Sequence, residues 1–218
     1  MIPLKFSRPM LAAALGTAGV LLISGEWHDR LLWAYGCLLA LTFGYAAFSI
    51  SEDLAKERFH PPNPGADSLS LKCVRIVALA HIVVSALDLG RWKLTRVPDN
   101  WRIAALIGMA AAFGLVFHSM RENRFFSAVV RIQSERGHRV VDSGPYSVVR
   151  HPGYLGMIIG VPLSAMAIGS WLGCVVALAY SGLILSRVAF EDRYLQENLG
   201  GYTGYIMRVP YRLVPGLW

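Results

Sequence analysis

Apolar positions in this chain fall into blocks separated by short polar stretches, and the blocks set its architecture. Six runs stand out, at 10–23, 31–50, 74–89, 103–120, 155–168 and 171–185. The second carries no charged residue; the third is the weakest, interrupted by Arg75, His81 and Asp88. Gly169-Ser170 separates the last two, a break that predicts a helical hairpin. A membrane span needs about 20 mostly apolar residues, so the third run and the hairpin arms are short on their own. Trp92, Trp101, Tyr154, Trp171 and Phe190 sit at or near run ends, where interfacial aromatics belong. The pattern predicts an all-α integral membrane protein of about five to six transmembrane helices. Lys5 and Arg8 precede the first run as they would a signal peptide, but no small-x-small cleavage site follows, so the run is read as a span.

Composition agrees. Hydrophobic residues make up 55% of the 218 positions and charged residues 16%, against about a quarter charged in a soluble domain. Lys and Arg in short loops set orientation. With the N-terminus inside, the inner segments hold Lys5, Arg8, Lys56, Arg58 and Lys72, the cluster from Arg121 to Arg150, and Arg193, Arg208 and Arg212. The outer segments hold Arg30 and the exceptional Arg91, Lys93 and Arg96. This predicts a protein of the cytoplasmic (inner) membrane with its polar segments 121–153 and 186–218 on the cytoplasmic side. The net charge of +7 is explained by attraction to anionic headgroups, so membrane lipids and not nucleic acid are the expected partners. Cys37, Cys73 and Cys174 are isolated, without metal-ligand or disulfide spacing; they are expected to be packing residues, and no metal site is expected.

Little chain remains outside the apolar runs. Residues 51–72 read as one polar loop with a His60-Pro-Pro-Asn-Pro-Gly turn. None of the polar segments is large enough for a Rossmann domain, and there is no G-x-G-x-x-G. Within 121–153, the spacing predicts a helix over 125–136 that Gly137 stops. His138 to Val141 then reads as extended and Asp142-Ser143-Gly144-Pro145 as a turn. Pro152 is placed as the first residue of the next helix, which leaves unpartnered N–H groups around Gly153 and Tyr154 that attract anions. Arg150 and His151 serve either as headgroup anchors or as donors at a ligand site; the surrounding glycines tilt the balance to a ligand site. In the tail, Arg187 and Glu191 lie four apart on one helical face. They form either an exposed pair or, at the edge of a span, a functional one.

These residues carry a resemblance. The order N-x-F-F (123–126), I-Q (132–133), G-H-x-V-V (137–141), G-P-Y (144–146), R-H-P-G-Y-L-G (150–156), a hairpin, E-D-x-x-L (191–195) and G-x-Y-x-x-Y-x-x-R-V-P (200–210) resembles the isoprenylcysteine carboxyl methyltransferase family. It divides the chain into N-terminal transmembrane helices, 1–120, and a methyltransferase-like region, 121–218. The resemblance implies an S-adenosylmethionine-dependent membrane enzyme whose cofactor pocket is built from loop and tail. It implies cofactor contacts at Gln133, His138, Arg139, Val140, Val141, Tyr146, His151, Pro152, Gly153, Tyr154 and Glu191. It implies that Arg187 faces the substrate and holds the acceptor carboxylate, with Arg187 and Glu191 as the catalytic pair. The acceptor it implies is a lipophilic or amphiphilic small molecule or a lipidated substrate. Asp192 stands where the family commonly has a second glutamate.

The residue chemistry agrees with the cofactor. A helix N-terminus with His151 suits its carboxylate; Glu191 suits a cationic group; Tyr146 or Tyr154 suits adenine or the sulfonium. A carboxylate acceptor needs no base, whereas a phospholipid amine or small thiol would need one, with Glu191 the nearest candidate. One alternative is therefore a methyltransferase for a lipid amine or thiol. Another is an NADPH-dependent sterol-reductase-like enzyme, whose tail Val209-Pro-Tyr-Arg-Leu-Val-Pro resembles. A third is a membrane protein without enzymatic activity, which leaves the clustered polar motifs unexplained.

Overall fold

The computed structural model describes residues 4–63 and 65–218, with side chains from Met10 onward except Phe59. The inner charges Lys5 and Arg8 therefore lie outside the described side chains. Among the described residues every regular element is a helix. Six apolar helices form the body: α1 (Leu4–Ser24), α2 (Arg30–Ser49), α4 (Ser68–Leu87), α5 (Asp99–Glu122), α6 (Pro152–Ile168) and α7 (Trp171–Asn198); α3 (Glu52–Phe59) and α8 (Tyr202–Arg208) are short and polar. The segments 30–49, 68–92, 99–122 and 171–198 are long and apolar enough to cross a membrane; α1 and α6 contribute shorter apolar stretches. The chain is an integral membrane protein. At 17 residues, α6 rises about 25 Å, so it is the short arm of the hairpin, and the much longer α7 runs on past the open end.

Close packing depends on small residues. The most extensive contact joins α5 and α6. A Cβ on Gly156 would lie 2.5 Å from the Ala112 carbonyl, and one on Gly173 would lie 1.9 Å from the Ser85 hydroxyl between α4 and α7. Only glycine admits these backbone approaches. A core of Val20, Leu21, Leu32, Tyr35, Ala86, Met109 and Ile168 ties together α1, α2, α4, α5 and α6.

The interruptions of the weak third run are accommodated. His81 is buried beside the Ser164 hydroxyl (3.3 Å), which in turn meets Tyr35. Asp88, fully buried, begins a π-turn through Trp92. It accepts bonds from the Leu94 and Thr95 amides and from the Thr95 and Ser170 hydroxyls. Ser170 also caps α7 by accepting from Gly173 N–H at 2.8 Å, so Asp88 fixes the hairpin tip.

Three local expectations are corrected. Residues 51–72 are not one loop: Ser51 caps α3 through Leu54 N–H and α4 begins at Ser68, leaving 60–67 as the connection. The helix expected over 125–136 is irregular except for a 3-10 turn at Ser134–Arg136. Its backbone groups are taken by tertiary partners. Val130 N–H donates to Asp67, the Val130 carbonyl accepts from Ala66 N–H, and the Phe125 carbonyl accepts from the Gln133 amide. Helical spacing loses where these groups find non-helical partners, two of them outside the segment and one in the Gln133 side chain within it. Finally, Cys37 is exposed and not packed inside, while Cys73 and Cys174 are half-buried; all three are free thiols.

Candidate active site

At the open end of the hairpin the 123–151 segment, the first turn of α6, the end of α7 and α8 border a cleft that is partly open to solvent. Its framework is Asp192. This buried carboxylate accepts both arms of Arg150 (2.8 and 2.9 Å), His151 Nε2 (3.1 Å), the Tyr202 hydroxyl (2.9 Å) and Arg212 Nε (2.9 Å). Arg150 also donates to the Val209 carbonyl, and the N–H groups of Arg150 and His151 donate to the carbonyls of Tyr211 and Arg212. Arg150 is therefore not a headgroup anchor. It is buried and locks the start of α6 to the end of α7 and the tail. A carboxylate matched by two guanidiniums in a buried setting satisfies charge and donors together.

Several of the residues named from sequence line this cleft: His138, Arg139, Val140, Val141, Tyr146, His151, Gly153, Tyr154 and Glu191. The N–H groups of Gly153 and Tyr154, in the first turn of α6, have no partner among the described residues. Tyr146 is buried, its hydroxyl near the Ser119 carbonyl, and Tyr205 donates to its carbonyl at 2.7 Å. Burial raises the Tyr146 hydroxyl above its usual range. His138 accepts from Gln133 N–H through Nδ1 (3.2 Å) and stacks at 4.5 Å on Phe125. Burial first, then Arg131 and Arg136, push the ring down to about 4. It is neutral near pH 7, with the proton on Nε2 as its remaining donor.

Other residues sit behind the cleft. Gln133 is buried, and its side chain braces the loop against Phe125 and Arg136. Pro152 is buried as the first residue of α6. Arg187 does not line the cleft. It is 4% exposed, lies 2.8 Å from the Asp67 carboxylate, donates to the Ala128 carbonyl, and donates through Nε to the Tyr154 hydroxyl at 2.9 Å. The Tyr154 hydroxyl in turn donates a hydrogen bond to the Glu191 carboxylate at 2.6 Å. The expected Arg187–Glu191 pair is thus joined through a tyrosine, and the guanidinium expected to face an acceptor is matched by Asp67. Among the described residues no cation lies within ion-pair distance of Glu191.

The sequence reading missed four residues here. Asp192 was visible as the second acid of E-D-x-x-L, and Tyr202 and Tyr205 as the tail tyrosines. Arg58, which lines the cleft from α3, lies beside a proline-rich turn and carried no signal. Among the described residues no group of His, Cys, Asp and Glu is arranged to hold a metal.

Comparison with known proteins places this architecture. A model of the isoprenylcysteine carboxyl methyltransferase family matches residues 102–197. The chain is 30% identical over 183 residues to the "Probable protein-S-isoprenylcysteine O-methyltransferase" of Oryza sativa subsp. japonica, covering 81% of this chain and 92% of that one. It is 30% identical over 89 residues to "Protein-S-isoprenylcysteine O-methyltransferase B" of Arabidopsis thaliana, covering 40% of this chain and 45% of the relative. It is 29% identical over 113 residues to "Nickel-cobalt-cadmium resistance protein NccN" of Alcaligenes xylosoxydans xylosoxydans, 51% of each chain. The chain thus spans about half the length of these last two relatives.

Proposed function

From the premise that this chain belongs to the isoprenylcysteine carboxyl methyltransferase family, we propose that it is an S-adenosylmethionine-dependent methyltransferase. Its acceptor is the carboxylate of a lipophilic or amphiphilic molecule, isoprenylcysteine-like, held at the membrane edge. The active site faces the cytoplasm from the cytoplasmic membrane. One observation carries the reading: an unmatched carboxylate, Glu191, shares a cleft with the unpartnered N–H groups of α6 and the Tyr146 and Tyr202 rings.

That donor set fits the cofactor. Bound there, S-adenosylmethionine supplies an activated methyl group on a cationic sulfur. Glu191 faces the cationic half, and the Gly153 and Tyr154 N–H groups receive the carboxylate. His138, neutral, donates through Nε2, and Tyr146 and Tyr202 offer ring faces. The apolar residues Val140, Leu195 and Leu199 line the same cleft and exclude water from it. Arg187 holds the Tyr154 hydroxyl, which aims its proton at Glu191 and fixes that carboxylate. No group needs to remove a proton, because a carboxylate acceptor arrives ionised. Positioning and an excluded solvent therefore supply the rate.

The test is methyl transfer by the full chain in lipid nanodiscs, with radiolabelled S-adenosylmethionine and N-acetyl-S-farnesylcysteine. The expected product releases its label as methanol in base. A base-stable product overturns the carboxylate reading in favour of an amine or thiol acceptor. Absence of transfer together with absence of S-adenosylhomocysteine binding overturns the methyltransferase reading.

A further inference from the structure

Two guanidiniums reach the 123–151 segment at consecutive carbonyls. Arg187 donates to Ala128 and Arg58 donates through Nη1 to Ser127 at 2.8 Å. Their electrostatic situations differ. Arg187 lies 2.8 Å from Asp67, with both side chains 3% exposed, so this pair is neutral as a unit. Arg58 is half-buried and has no carboxylate within ion-pair distance among the described residues. Its guanidinium carbon also lies 5.1 Å from the centre of the Phe126 ring. A ring face offsets only part of a buried cation, and most of Arg58's donors remain unused.

We propose that Arg58 holds the carboxylate of the methyl acceptor, an inference that rests on the methyltransferase reading above. Arg58 shares the cleft with Glu191, Tyr154 and Gly153, so an anion on it lies in the same cavity as the carboxylate that receives the cationic cofactor. Phe126 spaces the two: its ring contacts the guanidinium on one side and leaves room for no Cβ on Gly153, which would lie 2.5 Å away. Burial first, and then the neighbouring Tyr154, Arg187, Tyr180 and Glu191, set the electrostatics of Arg58, and Tyr180 packs with Val74, Ile184 and Val188 in the apolar cluster of α4 and α7. Arg139, the other cation of the cleft without an ion-pair partner, is exposed to water. An amphiphile whose tail stays in the bilayer presents its head at Arg58. Burial holds this guanidinium below its usual range, and an anion beside it relieves that strain on the charge.

The chemistry gives Arg58 a second consequence. A carboxylate oxygen forms a bond to the methyl carbon, the carbon–sulfur bond breaks, and its electron pair goes to sulfur. The sulfonium and the carboxylate both become neutral and no proton moves. The ester therefore loses the charge that Arg58 held. Arg58 retains the acceptor and releases the product.

The experiment is calorimetric binding to the full chain in nanodiscs. The ligands are N-acetyl-S-farnesylcysteine, its neutral carboxamide, and S-adenosylhomocysteine; the variants are Arg58→Gln, Arg58→Lys and Arg187→Gln. Wild type is expected to prefer the carboxylate over the amide at least tenfold. Arg58→Gln is expected to reduce that preference to about one while S-adenosylhomocysteine affinity stays within twofold, which also reports an intact fold. Arg58→Lys is expected to keep most of the preference. Turnover in Arg58→Gln is expected to show a raised KM with kcat largely retained. Retention of the preference in Arg58→Gln and its loss in Arg187→Gln overturns the proposal and returns the role to Arg187. Loss of S-adenosylhomocysteine binding in both Arg58 variants also overturns it, placing Arg58 on the cofactor. A wild type that binds S-adenosylhomocysteine but shows no preference between the two acceptor forms overturns the carboxylate reading itself and the Arg58 proposal with it.

Discussion

The two ends of the hairpin treat buried charge differently. At the closed end, Asp88 is saturated by two amides and two hydroxyls. Arg102 there is matched by Asp29 at 2.8 Å and donates to the Ala167 carbonyl. At the open end, Asp192 is saturated too, here by Arg150, Arg212, His151 and the Tyr202 hydroxyl, but beside it Glu191 and Arg58 each lack a charged partner within ion-pair distance among the described residues. Internal saturation builds a fold. An unmatched anion and an unmatched cation in one cleft describe a site that its ligands complete. The lesson is that burial and ionisability alone do not separate framework from site; whether the fold itself saturates the group, with neutral donors as at Asp88 or with cations as at Asp192, does.

Four changes break or sharpen that contrast. Asp192→Ala is expected to have the largest effect, since it strands the Arg150 guanidinium and unties His151, Tyr202 and Arg212 at once. Losing one partner of a buried pair costs about 3–5 kcal/mol. A large drop in melting temperature and loss of S-adenosylhomocysteine binding are expected together; retained binding would show that the cleft does not depend on this hub. Glu191→Gln is the converse. It removes charge from a group that the fold engages through the Tyr154 hydroxyl but matches with no cation among the described residues, so methyl transfer is expected to fall by about 100-fold, on the order of 2.7 kcal/mol in the barrier, with melting little changed. A comparable loss of melting temperature would make Glu191 framework.

Asp88→Ala tests the closed end. It leaves the Thr95 and Ser170 donors unpaired, at about 2 kcal/mol, and thermal unfolding is expected to report it while S-adenosylhomocysteine affinity of the folded fraction stays unchanged. The smallest effect is that of His138. Its ring is pushed down to about 4 in the fold and returns to about 6.5 when unfolded. The folded form binds fewer protons between those values, so stability from this group is intact above pH 6.5 and declines as pH falls toward 4. The ring is partly exposed, so the loss is on the order of 1 kcal/mol after screening. Unfolding measured from pH 7.5 to 4.5 is expected to show this slope in wild type and to lack it in His138→Gln.

The bundle was legible because a membrane span writes itself as a continuous run; α2, α5 and the hairpin are visible as blocks with little charge. The cleft was legible in part because its motif residues sit close together in sequence around Pro152. What failed to show is long-range. The 125–136 spacing is that of a helix, yet Asp67, Ala66 and the Gln133 amide take the backbone groups a helix needs. Arg187 is four residues from Glu191, so sequence pairs them; its actual counter-charge arrives from Asp67, far earlier in the chain. Arg58 follows no motif, and its place over Phe126 exists only after α3 folds back onto the loop. Periodicity reports the nearest neighbour along the chain, and these residues are decided by neighbours across it.

The Asp192 hub also sets a schedule. Its partners sit at 150, 151, 202 and 212, so the carboxylate cannot be saturated until the last of them has left the ribosome. Chains are made at about 5–20 residues per second, N-terminal part first. The six apolar helices are therefore complete in sequence before the tail can close over them. Until Arg212 arrives, Asp192 lacks its last partner and the tail is not locked to the end of α7.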